Sequence, residues 1–234
     1  MDQLQKANVL RSMDFVFISG GNVVLGTDDP LICRLEGVRK NETPVRSFQV
    51  NSFWLNKFCV TNEEFENFNP KHHRPPTSLT DNQPVTDLTY MDALTYIEWF
   101  SNKHGLEFRL PTESEWVLGA APFAWEFSYK KEPNPDKNKA HTFSRKNFKT
   151  LPVNDEYFGV NHNGLYHMGG NVFEMTQGWY YAPGHLGSET DGAYYIAKGG
   201  GFGHCPYSAG VQRRGIFDVT DRPSRVGFRL AHPA

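Results

Sequence analysis

Cysteine is scarce in this chain. Cys33, Cys59 and Cys205 are the three among 234 residues, too few and too scattered for a disulfide framework or a zinc knuckle. A surplus of charge is also missing: 24 Lys and Arg face 26 Asp and Glu, a net charge of −2. A protein that binds nucleic acid by neutralising many phosphates needs a basic surplus, so no nucleic-acid partner is expected. No apolar run reaches the roughly 18 residues that a bilayer-crossing helix needs, and no membrane partner is expected. The opening residues, MDQLQKANVLRSMDF, lack the basic-then-apolar pattern of a secretory signal. A cytoplasmic location is therefore the expectation.

Aromatic residues, by contrast, are plentiful: 18 Phe, 10 Tyr and 5 Trp supply the surface for a sizeable core. Glycine and proline, at 21 and 15, exceed their usual joint share of roughly 12%, which points to a loop-rich fold.

Residues 1–14 read as a polar lead-in. Phe15-Val16-Phe17-Ile18 and Val23-Val24-Leu25, separated by Gly20-Gly21, read as two short strands joined by a tight turn. Val45 to Phe58 alternates apolar and polar residues and also reads as β-structure. Three helices announce their starts. Thr61-Asn62-Glu63-Glu64 is a capping box, in which Thr and Glu each satisfy a backbone N–H of the first turn. Thr89-Tyr90-Met91-Asp92 is the same device with Asp, opening a helix over about 90–104 with Gly105 as its stop. Thr112-Glu113-Ser114-Glu115 is the third, after Pro111. Beyond residue 121 no long helical period remains. Residues 128–150 read as a polar, basic surface loop, and short β-type segments follow at 165–168, 172–176, 194–197 and 226–230.

Five segments in order resemble the formylglycine-generating-enzyme, or sulfatase-modifying-factor, family. They are Glu42-Thr43-Pro44 with Phe58-Cys59-Val60-Thr61-Asn62; Pro84-Val85-Thr86-Asp87-Leu88-Thr89-Tyr90-Met91-Asp92-Ala93; and Arg109-Leu110-Pro111-Thr112-Glu113-Ser114-Glu115-Trp116. Asn163-Gly164-Leu165-Tyr166 then leads to Gly169-Gly170-Asn171-Val172-Phe173-Glu174-Met175-Thr176, and Lys198-Gly199-Gly200-Gly201-Phe202 leads to Gly227-Phe228-Arg229-Leu230-Ala231. The resemblance implies an α+β fold: a single-domain variant of the C-type-lectin fold, loop-rich, with short β-sheets and two or three helices. Residues 15–234 would form that domain.

The family's oxidases hold Cu(I) between two cysteines separated by four residues, after the Lys-Gly-Gly stretch. Two soft thiolates suit Cu(I). Counted from Lys198, those places fall on His204 and Ala209 here, and Cys205 is the lone cysteine of the segment. A redox metal and sulfatase activation are therefore not expected. No Gly-x-Ser-x-Gly elbow, P-loop or His-Glu-x-x-His helix supplies another catalytic device.

The resemblance also implies a structural Ca²⁺ at the Gly170–Glu174 stretch. Such an ion takes six to eight oxygens. Asn171 and Glu174 offer side-chain oxygens and Val172 a carbonyl. In the other reading, Asn171 and Glu174 tie up buried backbone groups.

Residues 203–225, GHCPYSAGVQRRGIFDVTDRPSR, lie between two of these family anchors. In a lectin-like scaffold this segment lines the ligand face. Its candidate binding residues are His204, Cys205, Tyr207, Ser208, Arg213, Phe217, Asp218, Asp221, Ser224 and Arg225, a mixture of aromatic, small polar and Arg side chains that resembles a paratope. The spacing of Pro206, Arg214, Arg222 and Gly227-Phe228-Arg229-Leu230-Ala231 also resembles the variable proteins of diversity-generating retroelements. The Ala209-Gly210-Val211-Gln212 stretch departs from their Leu-Arg-Ser-Ala. The function expected is a ligand- or protein-binding module whose partner is a protein or small molecule. The alternative is a metal-dependent oxidase or hydroxylase of the same family, with His204 and Cys205 in place of the thiol pair.

Overall fold

The computed structural model describes residues 2–26, 42, 44–120, 148–156, 160–180, 194–204 and 210–234. The chain opens with a helix, α1 (Gln3–Ser12). Asp2 accepts from the backbone of Gln5 at 2.7 Å, and the Gln5 side chain accepts from the backbone of Asp2 at 3.2 Å. This box caps the helix, so the stretch expected as a lead-in is folded. Its reason is also apolar: Leu10 is fully buried, and Ala7 and Met13 pack against the same core.

Three small sheets follow. The first joins β1 (Phe15–Ile18), β4 (Phe53–Asn56) and β9 (Ala231–Pro233), in the order β1-β4-β9. Phe53, Trp54 and Leu55 are all buried because β4 is the middle strand. The second sheet pairs β2 (Gly21–Leu25) with β3 (Arg46–Val50). β1 and β2 therefore do not pair with each other, contrary to the sequence reading. Gly20 explains the parting. A Cβ there would lie 2.6 Å from the carbonyl oxygen of Val50, so the backbone turns against a neighbour and enters a different sheet. The third sheet runs β7-β6-β5-β8, from β5 (Phe173–Trp179), β6 (Tyr194–Lys198), β7 (Gly215–Asp218) and β8 (Val226–Gly227). Residues 165–168, expected as β-structure, contribute only a bridge between Val160 and Tyr166.

All three capping boxes form. They open α2 (Asn62–Glu66), α3 (Tyr90–His104) and α4 (Glu113–Ala120). Gly105 ends α3 in a left-handed conformation. One core lies between α3 and the four-stranded sheet, where Tyr90, Tyr96, Phe173, Tyr195 and Phe228 are buried. A second joins α4 to the first two sheets through Trp116, with Leu55 and Ala231 of the first sheet and Val23 and Val50 of the second. The expected basic loop lies outside the described residues except for 148–150. No helix among the described residues is long and apolar enough to cross a membrane.

Candidate functional site

The segment of interest begins where β6 ends. Lys198 is fully buried there, its Nζ 3.3 Å from Glu113 Oε1 on α4. Burial pulls the ammonium down to about 8, although Glu113 pulls the other way. Glu113 also takes both arms of Arg214, at 2.6 Å each. Burial alone would raise its carboxyl, but Lys198 and Arg214 together hold it below the usual range. Beside them, Arg213 donates to Glu42 at 2.9 Å, and the backbone N–H of Arg214 reaches the other Glu42 oxygen at 3.2 Å. Further along, Arg222 pairs with Asp92 of α3 at 2.9 Å and donates to the carbonyl of Asp87. Three arginines thus fasten the segment to the scaffold. Arg213, expected at the binding face, is one of these fasteners.

Phe217 also turns inward. Its ring packs against Phe173 (centroids 5.5 Å apart) and stacks on Tyr195 (5.8 Å). Its place as a free aromatic of the face is thereby corrected: β7 pairs with β6, and this register puts Phe217 opposite Tyr195. Phe173 organises more than this contact. The His204 ring meets it edge-on at 4.9 Å, and its backbone N–H donates to the carbonyl of Arg225 at 2.8 Å. Both ends of the segment, His204 and Arg225, therefore rest on one residue of β5.

The remaining described candidates are at or near the surface. Asp221 is exposed, and Ser224 and Arg225 are half-buried. Asp218 accepts from the N–H and hydroxyl of Thr220, which hold its carboxyl below the usual range. Cys205, Tyr207 and Ser208 lie outside the described residues. The sequence reading missed Glu42 and Phe173 as supports. The Gly-Asn-Val-Phe-Glu stretch held a signal for Phe173, but Glu42 meets its arginines from a distant part of the chain.

The expected cation site does not fit the residues as they are placed. Asn171 accepts from the N–H of Leu151 at 2.9 Å and donates to its carbonyl at 3.2 Å. Glu174 is fully buried. One of its oxygens accepts from Arg229 Nε and from Trp116 Nε1 at 2.7 Å, and the other accepts from Arg229 Nη2 at 2.6 Å. Val172 packs beside Cys59 and Val153. The two side chains thus serve different neighbours, and an arginine already balances the carboxylate. Arg229 further donates to the carbonyls of Asn56, Lys57 and Tyr166. Among the described residues, no group of three or more His, Cys, Asp or Glu is arranged to hold a metal ion. Cys59 is a core thiol, its pKa pushed up by burial and by the Glu174 charge.

The sequence profile of the sulfatase-modifying factor enzyme 1-like domain matches residues 1–234. The chain is 25% identical to the formylglycine-generating enzyme of Thermomonospora curvata over 260 aligned positions, covering 80% of this chain and 82% of that one. It is 29% identical to the serine/threonine-protein kinase pkn1 of Chlamydia caviae over 191, covering 71% of this chain. The chain spans 28% of that kinase's length. Among solved structures, Treponema denticola variable protein 1 superposes with a TM-score of 0.72 at 21% identity, covering 94% of this chain and 95% of that one. The fold is thus the loop-rich, lectin-like α+β fold that the motifs imply.

Proposed function

The chain belongs to the family of sulfatase-modifying factor enzyme 1-like domains, and we propose that it is a binding module which presents residues 203–225 as its ligand face. One observation carries this reading. The segment turns Arg213, Arg214 and Phe217 inward as fasteners, ties down the exposed Arg222 through Asp92, and leaves Asp221 exposed with Asp218, Ser224 and Arg225 half-buried beside it. A loop that is pinned from below costs little conformational entropy when it binds. Polar side chains on a rigid mount are what a recognition surface uses. Cys205 is the lone cysteine after Lys198, which takes away the paired-thiol device of the family's oxidases. Outside Ala209-Gly210-Val211-Gln212 the segment also resembles the fixed spacing of retroelement-diversified proteins, so we read it as the part of the chain that tolerates variation. Its partner is a protein or a small molecule.

A photo-crosslinking residue tests the reading. Placed at Asp221, it should join the partner in lysate of the source cell. Placed at Leu4 on α1, which is 70% exposed, it should not. Equal yields from both places would contradict the proposal.

A further inference from the structure

The segment 203–225 holds four arginines, and they do not behave alike. Arg213, Arg214 and Arg222 each meet a carboxylate. The guanidinium of Arg225 has no hydrogen-bond or ion-pair partner among the described residues, although the residue is half-buried. Its backbone is fixed, because its carbonyl accepts from Phe173. Its side chain lies along the glycine run. A Cβ on Gly201 would come within 3.6 Å of Arg225 Cβ, and one on Gly203 within 3.2 Å of Arg225 Nη1. The same added atom on Gly203 would lie 3.0 Å from Phe148 Cζ. Glycine at 203 therefore lets an unpaired guanidinium and an aromatic ring close on one point of backbone. The Phe148 ring is braced edge-on by Phe202 at 5.4 Å, yet stays 53% exposed.

We propose that Arg225, Gly203 and Phe148 form a subsite for a carboxylate carried beside an apolar side chain, as at the C-terminal residue of a peptide. The planar fork of a guanidinium accepts a carboxylate through two parallel N–H···O bonds. The exposed ring supplies the apolar contact, and the missing Cβ of Gly203 lets the ring and the guanidinium lie side by side. This inference deepens the binding reading and rests on it, because it names the chemistry taken at one edge of the same face.

N-acetyl-phenylalanine is the probe, followed by the resonance of the Arg225 Nε–H in the full chain. N-acetyl-phenylalaninamide serves as the uncharged counterpart, and inorganic phosphate as the anion without an apolar body. The acid should bind about tenfold or more tightly than the amide, since charge-assisted pairs are the strong ones. Arg225→Gln should remove that advantage, and Phe148→Ala should weaken the acid while leaving phosphate unchanged. Gly203→Ala should also weaken the acid, with an unaltered melt, because its Cβ meets only movable side-chain ends. Equal binding of acid and amide, phosphate binding as tightly as the acid, or no response of Arg225 to the acid would each overturn the subsite. The crosslinking result at Asp221 is independent of these outcomes. A chain that captures a partner there but ignores the probe keeps the module and loses the subsite.

Discussion

Glu174 and Arg229 are locked together in the interior, both fully buried, with both carboxylate oxygens taken by the guanidinium. Trp116 adds a third N–H from α4. The pair ties β5 to the stretch after β8, and through Arg229 to the carbonyls at the end of β4. Removing one partner leaves a buried charge without its balance, which costs about 3–5 kcal/mol. Glu174→Gln should lower unfolding stability by that order in urea titration. Glu174→Gln combined with Arg229→Met should recover part of it.

The same geometry bears on calcium. The oxygens of Asn171 and Glu174 serve Leu151, Trp116 and Arg229. Any response of the melting temperature to a chelator should therefore be the same in Glu174→Gln as in the wild type. A fall in melting temperature with chelator that is absent in Glu174→Gln would show that a cation does bind there.

Lys198 gives a pH signature. Its folded pKa is lowered to about 8 from an ordinary value of 10.5. Between those values the unfolded chain holds the proton and the folded chain has released it, so this group makes stability rise with pH. Below about pH 8 both states are protonated and the full cost of the buried ammonium remains. Cys59, Tyr96 and Tyr195 work the other way in alkali, since their folded pKa values are raised. They are common to the wild type and Lys198→Met. The stability of wild type minus that of Lys198→Met should accordingly climb by on the order of 2–3 kcal/mol between pH 8 and 10.5. A flat difference would show that Lys198 titrates normally.

Sulfatase activation gives a chemical check. A peptide with the Cys-x-Pro-x-Arg motif should keep its thiol when incubated with this protein and copper, because Cys205 is the one thiol of its segment. Mass spectrometry would reveal a thiol-to-aldehyde change at the peptide cysteine, which would contradict this.

Local signals and long-range partners differed in how legible they were. The boxes at Thr61, Thr89 and Thr112 were readable because a capping box is written within four residues, and each opens a helix. Asp2 and Gln5 carry the same kind of signal, but the polar look of the first residues hid it. Short apolar runs beside Gly20-Gly21 marked β1 and β2 as strands and could not say with what they pair, since pairing is set by partners far along the chain. The candidate site divides in the same way. The segment 203–225 stood out by composition and by the anchors around it. The inward turn of Phe217 was invisible, because it depends on register with β6. The tie of Arg213 to Glu42 was equally hidden, since 171 positions separate the two.

The most direct test of the binding face compares two kinds of change on a partner captured by crosslinking and then purified. Asp218→Ala, Asp221→Ala and Ser224→Ala together should cost little stability, within about 0.5 kcal/mol each as surface changes usually do. Trp116→Ala, which removes a fully buried side chain, should cost about 3–5 kcal/mol. Titration calorimetry of the partner against the triple variant is the deciding measurement. The account predicts at least a hundredfold loss of affinity with an unchanged melt. Affinity equal to that of the wild type would contradict it, as would a triple variant that unfolds as badly as Trp116→Ala.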